Sequence, residues 1–326
     1  MEALGHGVTG IDSHPEKVRA RQKSLAFRVI AKLTGPLDWA GTNRRILEQR
    51  EGSAFDVLWV DKGLAVRPDT IRAIRSTWPS CHVVGYSPDD MMNRGNQSRA
   101  FLHALPHYDV FFTTKTYGVS ELRALGCRRV VWVGNGFDPE VHRPVTVSVQ
   151  DREALGGSVG FIGQWERERG DSICRLAENG IPVRVWGYSW ERMRCRPGGL
   201  VLENRPLWEE DYARAICAFD INLCFLRKAN RDLQTTRSIE IPACGAFMLA
   251  ERTNEHLALF REGEEAEFFS SHDELVEKTR YYLHHSEERL RIAAAGRRRC
   301  VEGGYSNTDR MKQCLDVVLG NLPHPA

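Results

Sequence analysis

Residues 219–251 read FDINLCFLRKANRDLQTTRSIEIPACGAFMLAE. The stretch opens on a near-continuous apolar run, INLCFL, of the kind a strand buried on both faces presents. A basic and polar segment follows, with Arg227, Lys228 and Arg231 ahead of Thr235 and Thr236. Next comes a short apolar turn of chain, 239–243, with one carboxylate, Glu240, inside it and Pro242 near its end. A second apolar run closes the stretch at 246–250. A buried strand, a loop, a helix and another apolar run form one step of a βαβ rhythm, and that rhythm argues for a parallel sheet.

The rhythm continues in both directions. Strands are expected at 6–12, 55–63, 81–87, 109–115 and 128–136, then at 158–163, 181–187, 198–204 and 265–270. Between them fall amphipathic stretches: from Ser13, at 67–79, near 98–105, up to Gly126, at 166–179, 209–218, 254–260 and 272–285. Helices from Glu287 and Asn307 close the chain. The rhythm pauses at 137–156, a weakly periodic stretch with Pro and Gly, which reads as a linker. The fold class is therefore α/β, with two doubly wound domains over 1–148 and 149–326, and the last helix is expected to pack back on the first domain. A length of 326 residues fits two domains of ~150. Two such domains facing each other would leave a cleft, and loops at strand carboxyl ends are where a ligand would sit.

Bulk composition removes several classes. Hydrophobic residues at 42% and charged residues at 27% are an ordinary globular balance. A net charge of +2 gives no nucleic-acid or membrane footprint. No apolar run reaches the ~18 residues of a membrane span, and residues 1–17 carry no apolar signal core. The nine cysteines lack C-x-x-C or metal-ligand spacing, which reads as reduced thiols in a cytoplasmic protein. Gly5-His6-Gly7-Val8-Thr9-Gly10 satisfies G-x-G-x-x-G, yet a dinucleotide site needs a strand before the glycines and a helix after them. Here four residues precede the match and a strand is expected to follow, so it reads as a turn. By this reading the chain enters its first domain late in the first helix, without the strand such a domain normally starts with.

Arg237 is out of place for an isolated helix, whose N-terminus has a positive dipole end and free N–H groups. With Thr235 or Thr236 as N-cap, an anion at the helix start would reconcile Arg237 and its cationic neighbours Arg227, Lys228 and Arg231. Glu240 falls three residues after Arg237, on the same side of the helix. Its options are a plain Arg237–Glu240 pair or a set of ligand hydroxyls such as those of ribose.

Several separate motifs, in order, resemble the CgeB-type (spore-maturation) branch of family-1 glycosyltransferases. They are FIGQWERERGDSICRLAENGIPVRVWG at 161–187, the stretch from INLCFL through GEEAEFF at 221–269, and GYSNTDR at 304–310, with weaker echoes in VDKG, SPDDMMNRGNQS and VGNGFDPEVHRP. The resemblance implies the GT-B fold, with a nucleotide-sugar donor held mainly by the second domain. Related retaining enzymes carry an acid, seven residues, then a glutamate before an A-C-G turn. Asp232 and Glu240 match, although Asp is shorter than the usual Glu at the first position. The glutamate contacts the donor ribose, and the acid lies toward the sugar. Gly163 and Arg169 match the glycine loop and arginine after the first strand of that domain. Arg227, Lys228 and Arg237 compete for the role of the arginine's basic partner.

In the function this implies, Arg169, Arg237 and the amides near Thr235 and Thr236 meet the charge growing on a departing diphosphate. The chain contains no Asp-x-Asp, so the site is expected to be metal-free, with a nucleotide sugar as substrate and no cofactor. On the acceptor side, Asp61, Asp89 and Asp90 follow strands, as general base in an inverting enzyme or acceptor guide in a retaining one. Asp89-Asp90 after Ser87-Pro88 is equally a turn and cap signal. Trp165, Trp186 and Trp190 read as core more than as stacking platforms. His103, His107 and His142 read as structural or exposed, and the run Arg297–Arg299 as a solvated helix face. A sugar-nucleotide epimerase of the same fold and a non-catalytic sugar-nucleotide binder are the alternatives.

Overall fold

The computed structural model describes residues 1–22, 24 and 37–320. It comprises two compact units, Met1–Gly134 with Met311–Ala326, and Asn135–Arg310.

In the first unit, helices α1 (Glu16–Gln22) and α2 (Thr42–Glu48) precede strand β1 (Val57–Asp61). Then come α3 (Pro68–Thr77), β2 (His82–Ser87), α4 (Arg99–Ala104), β3 (Val110–Thr113), α5 (Gly118–Ala124) and β4 (Val130–Trp132). The four strands pair in parallel in the order β1-β2-β3-β4. Alternation along the strands fills both faces. Val83 and Phe111 point to one core with Ile71, Ile74, Phe101 and Leu122, all fully buried. Val84, Val110 and Phe112 point to the other, which the C-terminal residues Cys314 and Val318 cover. Residues 6–12, read as a strand, form none. A single helical turn at Glu2–Leu4 ends on Gly5 in the left-handed region, and residues 5–10 are exposed. Ile11 alone of this segment packs against the core, so there is no apolar face to hold a strand.

The second unit runs α6 (Val149–Leu155), β5 (Gly157–Ile162), α7 (Arg167–Glu178), β6 (Val183–Trp186), β7 (Leu200–Leu202), α8 (Glu209–Ala218) and β8 (Phe219–Cys224). It continues with α9 (Arg237–Ala243), β9 (Met248–Glu251), α10 (Asn254–Leu259), β10 (Glu267–Phe269), α11 (His272–His284) and α12 (Ser286–Glu302), and α13 (Asn307–Val318) begins in it. Its six strands are all parallel, in the order β10-β9-β8-β5-β6-β7. Val159, Phe161, Ile221, Leu223 and Phe225 face a core closed by α7, α11 and α12. Cys224, Met248, Ala250 and Phe268 face the opposite one, closed by α8, α9 and α10. Each fully buried side chain of this kind contributes about 1.5–3 kcal/mol of transfer free energy.

The division at Gly134 and Asn135 falls earlier than the boundary read at 148. The intervening residues are tied into the second unit: Phe137 N–H donates to the Tyr305 carbonyl at 3.1 Å and Asn307 N–H to the Phe137 carbonyl at 2.7 Å. The cysteines also depart from expectation. Cys174 on α7 and Cys195 in the loop after β6 form a disulfide, while the other seven remain free thiols. Their separation of 21 residues carries no spacing signal, since the pairing is made by a crossover loop returning to a helix. Two of the three arginines at 297–299 are not simply solvated: Arg297 donates to the Ala243 carbonyl at 2.9 Å and Arg299 to that of Leu259 at 3.0 Å. Among the described residues, no helix is long and apolar enough to cross a membrane.

Purified without reductant, the chain is expected to be lighter, by the mass of two thiol hydrogens, than its reduced form in intact mass spectrometry. Cys195→Ser should abolish that difference and lower stability to denaturant by about 3 kcal/mol. Identical masses with and without reductant would show that the bridge does not form.

Candidate functional site

The order of the second sheet locates its crevice. Strands β5, β6 and β7 step one way, and β8, β9 and β10 step the other, so the direction reverses between neighbours β5 and β8. In open parallel sheets the loops leaving two such strands diverge and leave a ligand crevice at their carboxyl ends. Here these are residues 163–166, leading into α7, and 225–236, leading into α9.

Each loop delivers an arginine. Arg169, in the first turn of α7, is 4% exposed, and its Nη1 donates to the Gln164 carbonyl at 2.9 Å. Arg237 opens α9, and its Nη2 reaches the Phe225 carbonyl at 3.5 Å. Both guanidiniums stand over the ring of Phe161, at 5.7 and 5.6 Å from its centroid. Burial, and then the charge of Arg237, pull the Arg169 guanidinium down to about 10. Both side chains leave Nε buried without a partner, as do the Trp165 indole and the Gln234 amide nitrogen. Among the described residues the other such atoms are the hydroxyls of Thr42 and Tyr108, in the first unit. The two arginine Nε donors, at the starts of the two helices that flank the crevice, suit an anion, because an unmade buried hydrogen bond costs about 1–3 kcal/mol.

The glycine loop is shaped to this pair. A Cβ on Gly163 would lie 2.6 Å from Phe161 Cζ and 3.4 Å from Arg237 Nη1. Trp190, fully buried, donates its indole N–H to the Gly163 carbonyl at 2.8 Å. Gly187, at φ +144°, packs against that carbonyl so closely that a Cβ would collide with it. Trp186 and Trp190 are thus core residues, as read from the sequence, with Trp190 also fixing the loop.

The start of α9 differs from the expected cap. Thr236 has helical φ and neither threonine caps the helix with its side chain. Instead Ser238 Oγ accepts from the Thr235 N–H at 3.0 Å and bonds His256 Nε2 at 2.7 Å. His256 Nδ1 lies 2.6 Å from the Glu251 carbonyl, which can only accept, so Nε2 is the unprotonated nitrogen and the Ser238 hydroxyl donates to it. Burial holds this imidazole neutral by pushing its pKa down. Thr253 ties the same loop by donating to the Leu233 carbonyl at 2.6 Å. With seven residues, α9 has a short dipole, and the anion preference rests on the guanidiniums rather than the helix end.

Glu240 does not pair with Arg237. Its Oε2 accepts from the Tyr212 hydroxyl at 2.6 Å, and its Oε1 stands 3.8 Å from His142 Nε2. His142, read as structural or exposed, is partly buried beside Glu240, and its ring meets that of Tyr212 edge-on at 5.7 Å. Burial and the Glu240 charge push the Tyr212 hydroxyl well above its ordinary value, so it remains a donor. Close by, the Cys217 thiol on α8 is pulled down by a hydrogen bond from Cys244.

The remaining candidates separate. Arg227 pairs with Glu166 at 3.0 Å and Lys228 with Glu251, so both cations are engaged within the chain. Asp232 N–H donates to the Arg227 carbonyl at 3.2 Å, which folds the loop back behind Arg231 in the left-handed region. Gln234, buried and missed in the sequence, accepts from Asn135 Nδ2 at 3.3 Å. In the first unit, Asp61 is exposed and accepts from the Trp59 indole at 3.0 Å. Asp89 pairs with Lys62 at 2.5 Å. Asp90 is buried and accepts from the Met92 N–H at 2.9 Å, the turn role that its sequence context also allowed. The described Cys and Glu side chains that could hold a metal are Cys174, Glu178 and Cys195, two of which are already bonded to each other.

Residues 167–316 match a family model described as glycosyl transferase-like. That segment includes Arg169, Tyr212, Arg237 and Glu240 and leaves out Gly163 and His142. No curated protein matches the chain by sequence. Among solved structures it is similar to sucrose-phosphate synthase from Thermosynechococcus elongatus, with a TM-score of 0.60 at 12% identity over 86% of this chain and 79% of that one. HepE of Anabaena in complex with UDP-glucose gives a TM-score of 0.60 at 12% identity, covering 91% of this chain and 89% of that one. A glycosyltransferase from Rickettsia africae gives 0.59 at 9% identity, covering 87% and 81%. The likeness is one of fold: two Rossmann-like parallel-sheet domains, as in GT-B glycosyltransferases.

A buried guanidinium and a half-buried one, with Glu166 no nearer than 4.0 Å, predict a change of sign. Without added anion, Arg237→Met should melt at or above the wild-type temperature. With inorganic diphosphate at ~100 times its dissociation constant, the wild type should gain about 2.7 kcal/mol and the variant little. Equal stabilisation of both proteins would remove Arg237 from the anion site.

Proposed function

We propose that the chain is a glycosyltransferase that moves a sugar from a nucleotide-sugar donor to an acceptor, with retention and without a metal. The observation that carries this reading is the pair Arg169, buried, and Arg237, half-buried, at the switch point of the second sheet with their Nε donors buried and unpartnered. A nucleotide sugar breaks its glycosidic bond by placing negative charge on a leaving diphosphate. Fixed donors that meet this charge lower the barrier, and removing one typically costs on the order of 3 kcal/mol. The family model lies over the same half of the chain, and the structurally similar HepE was solved with UDP-glucose.

Within this reading Gly163 lets the diphosphate approach the loop backbone, and the backbone near Thr235 and Thr236 supplies further donors. Two guanidiniums supply the charge that a metal would otherwise provide. Retention is supported by the Asp232 and Glu240 pair at the spacing of retaining enzymes, with Glu240 toward ribose and Asp232 toward the sugar. Arg227 and Lys228 act one step removed, by holding Glu166 and Glu251. On the acceptor side we assign Asp61, exposed at the end of its strand, as an acceptor guide. The CgeB-type branch is the subfamily that the motif order favours.

A thermal-shift screen of UDP, GDP, ADP and dTDP and their sugar conjugates tests the donor site, followed by assay of donor hydrolysis. One nucleotide class is expected to raise the melting temperature, and its conjugate to release sugar slowly. If no nucleoside diphosphate shifts the melting, the donor site is refuted. Release of an epimerised donor with no acceptor present would replace transfer by isomerisation.

A further inference from the structure

Glu240 is held by two side chains that the donor reading does not use. Tyr212 on α8 is half-buried, and its hydroxyl donates to Oε2 at 2.6 Å. His142 comes from the segment that leads into α6 and faces Oε1 at 3.8 Å, beyond hydrogen-bond length. Its other nitrogen, Nδ1, accepts from the Asp138 N–H at 3.0 Å. A backbone N–H can only donate, so Nδ1 is unprotonated and the ring proton is on Nε2, directed at the carboxylate. The two rings brace each other edge-on at 5.7 Å. The Glu240 side chain keeps 15% of its surface open, and that of His142 12%.

A carboxylate offers about four lone-pair sites. Tyr212 fills one and fixes the plane of the group. What is left open suits a pair of hydroxyls on adjacent carbons, each donating to the carboxylate. We infer that Tyr212 and His142 are positioning residues that set Glu240 to receive a vicinal diol, so that this site selects ribonucleotides over 2′-deoxyribonucleotides. This rests on the proposed nucleotide-sugar donor and deepens it. Neither residue touches the reacting atoms. Tyr212 stays protonated across the working pH range because burial and Glu240 both oppose its ionisation, so the bracing does not titrate away.

The test compares titration calorimetry of the nucleoside diphosphate that binds with its 2′-deoxy form. The wild type is expected to prefer the ribonucleotide by about tenfold or more, the worth of one charge-assisted hydrogen bond. Tyr212→Phe keeps the ring and its packing. It should weaken the ribonucleotide severalfold and the deoxynucleotide, which keeps one of the two hydroxyls, by a smaller factor. Glu240→Gln should collapse the same ratio, and Tyr212→Phe added to it should change the ratio no further. His142→Asn keeps an acceptor for the Asp138 N–H and should lower the ratio by a smaller factor. If Tyr212→Phe binds nucleotide with the wild-type ratio, or weakens both forms equally, the positioning role is wrong while the donor site stands. If no nucleoside diphosphate binds the wild type, both readings fall together.

Discussion

The site depends on an unbalanced repulsion. Arg169 and Arg237 share the ring of Phe161, and among the described residues no carboxylate comes closer to the pair than Glu166, 4.0 Å from Arg169. An ion pair there would satisfy the guanidiniums and close the site. The fold instead assigns the nearby acids elsewhere: Glu166 to Arg227, Glu251 to Lys228 and Leu226 N–H, Glu240 to Tyr212. What remains is a patch of positive potential in low dielectric, where a bound anion is worth far more than at the surface. Much of the surrounding structure keeps that patch in place. Phe161 and Phe225 pack against each other at a tilt of 57° with centroids 5.1 Å apart, and Trp190 pins the glycine loop.

Such an arrangement is costly for stability and is held by the sheet. The strands β5 and β8 that deliver the two loops are neighbours at the centre of six, with both faces covered. Movement of either loop would disturb a central strand rather than an edge. The network of Ser238, His256 and the Glu251 carbonyl adds a second restraint, fully buried and neutral, so it does not alter the charge at the site. A buried Ser–His pair can suggest a nucleophile, but here both groups are satisfied by backbone and closed to solvent, which makes them a clamp on the loop.

Most of the architecture was legible because apolar periodicity is a local signal. The strand runs at 221–226 and 181–187 and the helix at 209–218 sit where their patterns place them. Arg237 and Glu240 were legible too, since each breaks a local rule: a cation at a helix start and an acid in an apolar turn. Tyr212 and His142 break none. A tyrosine on an amphipathic helix and a histidine in a proline-containing segment are ordinary in their own surroundings. Their meaning arises only when a sheet and two helices bring residues separated by 28 positions and more into contact with one carboxylate. The disulfide was hidden for the same reason. The segment 6–12 failed in the opposite way, because a local pattern of Val and Ile between glycines had no core to face.

In the proposed site, Arg237 and Glu240 show how one turn of helix would separate two kinds of recognition. The two lie on the same side of α9, where a direct pair would be the simplest outcome. Tyr212 instead offers Glu240 a neutral donor that is half-buried and fixed in direction. The carboxylate keeps its charge and its open lone pairs without neutralising the arginine. A neutral hydroxyl is the right chemistry for this task. A lysine in its place would cancel the charge that lets Glu240 accept from hydroxyls, and an apolar residue would leave the carboxylate free to swing to Arg237. The proposed anion site and the proposed diol site can therefore lie side by side on seven residues of helix because a third residue, remote in sequence, holds Glu240 away from Arg237.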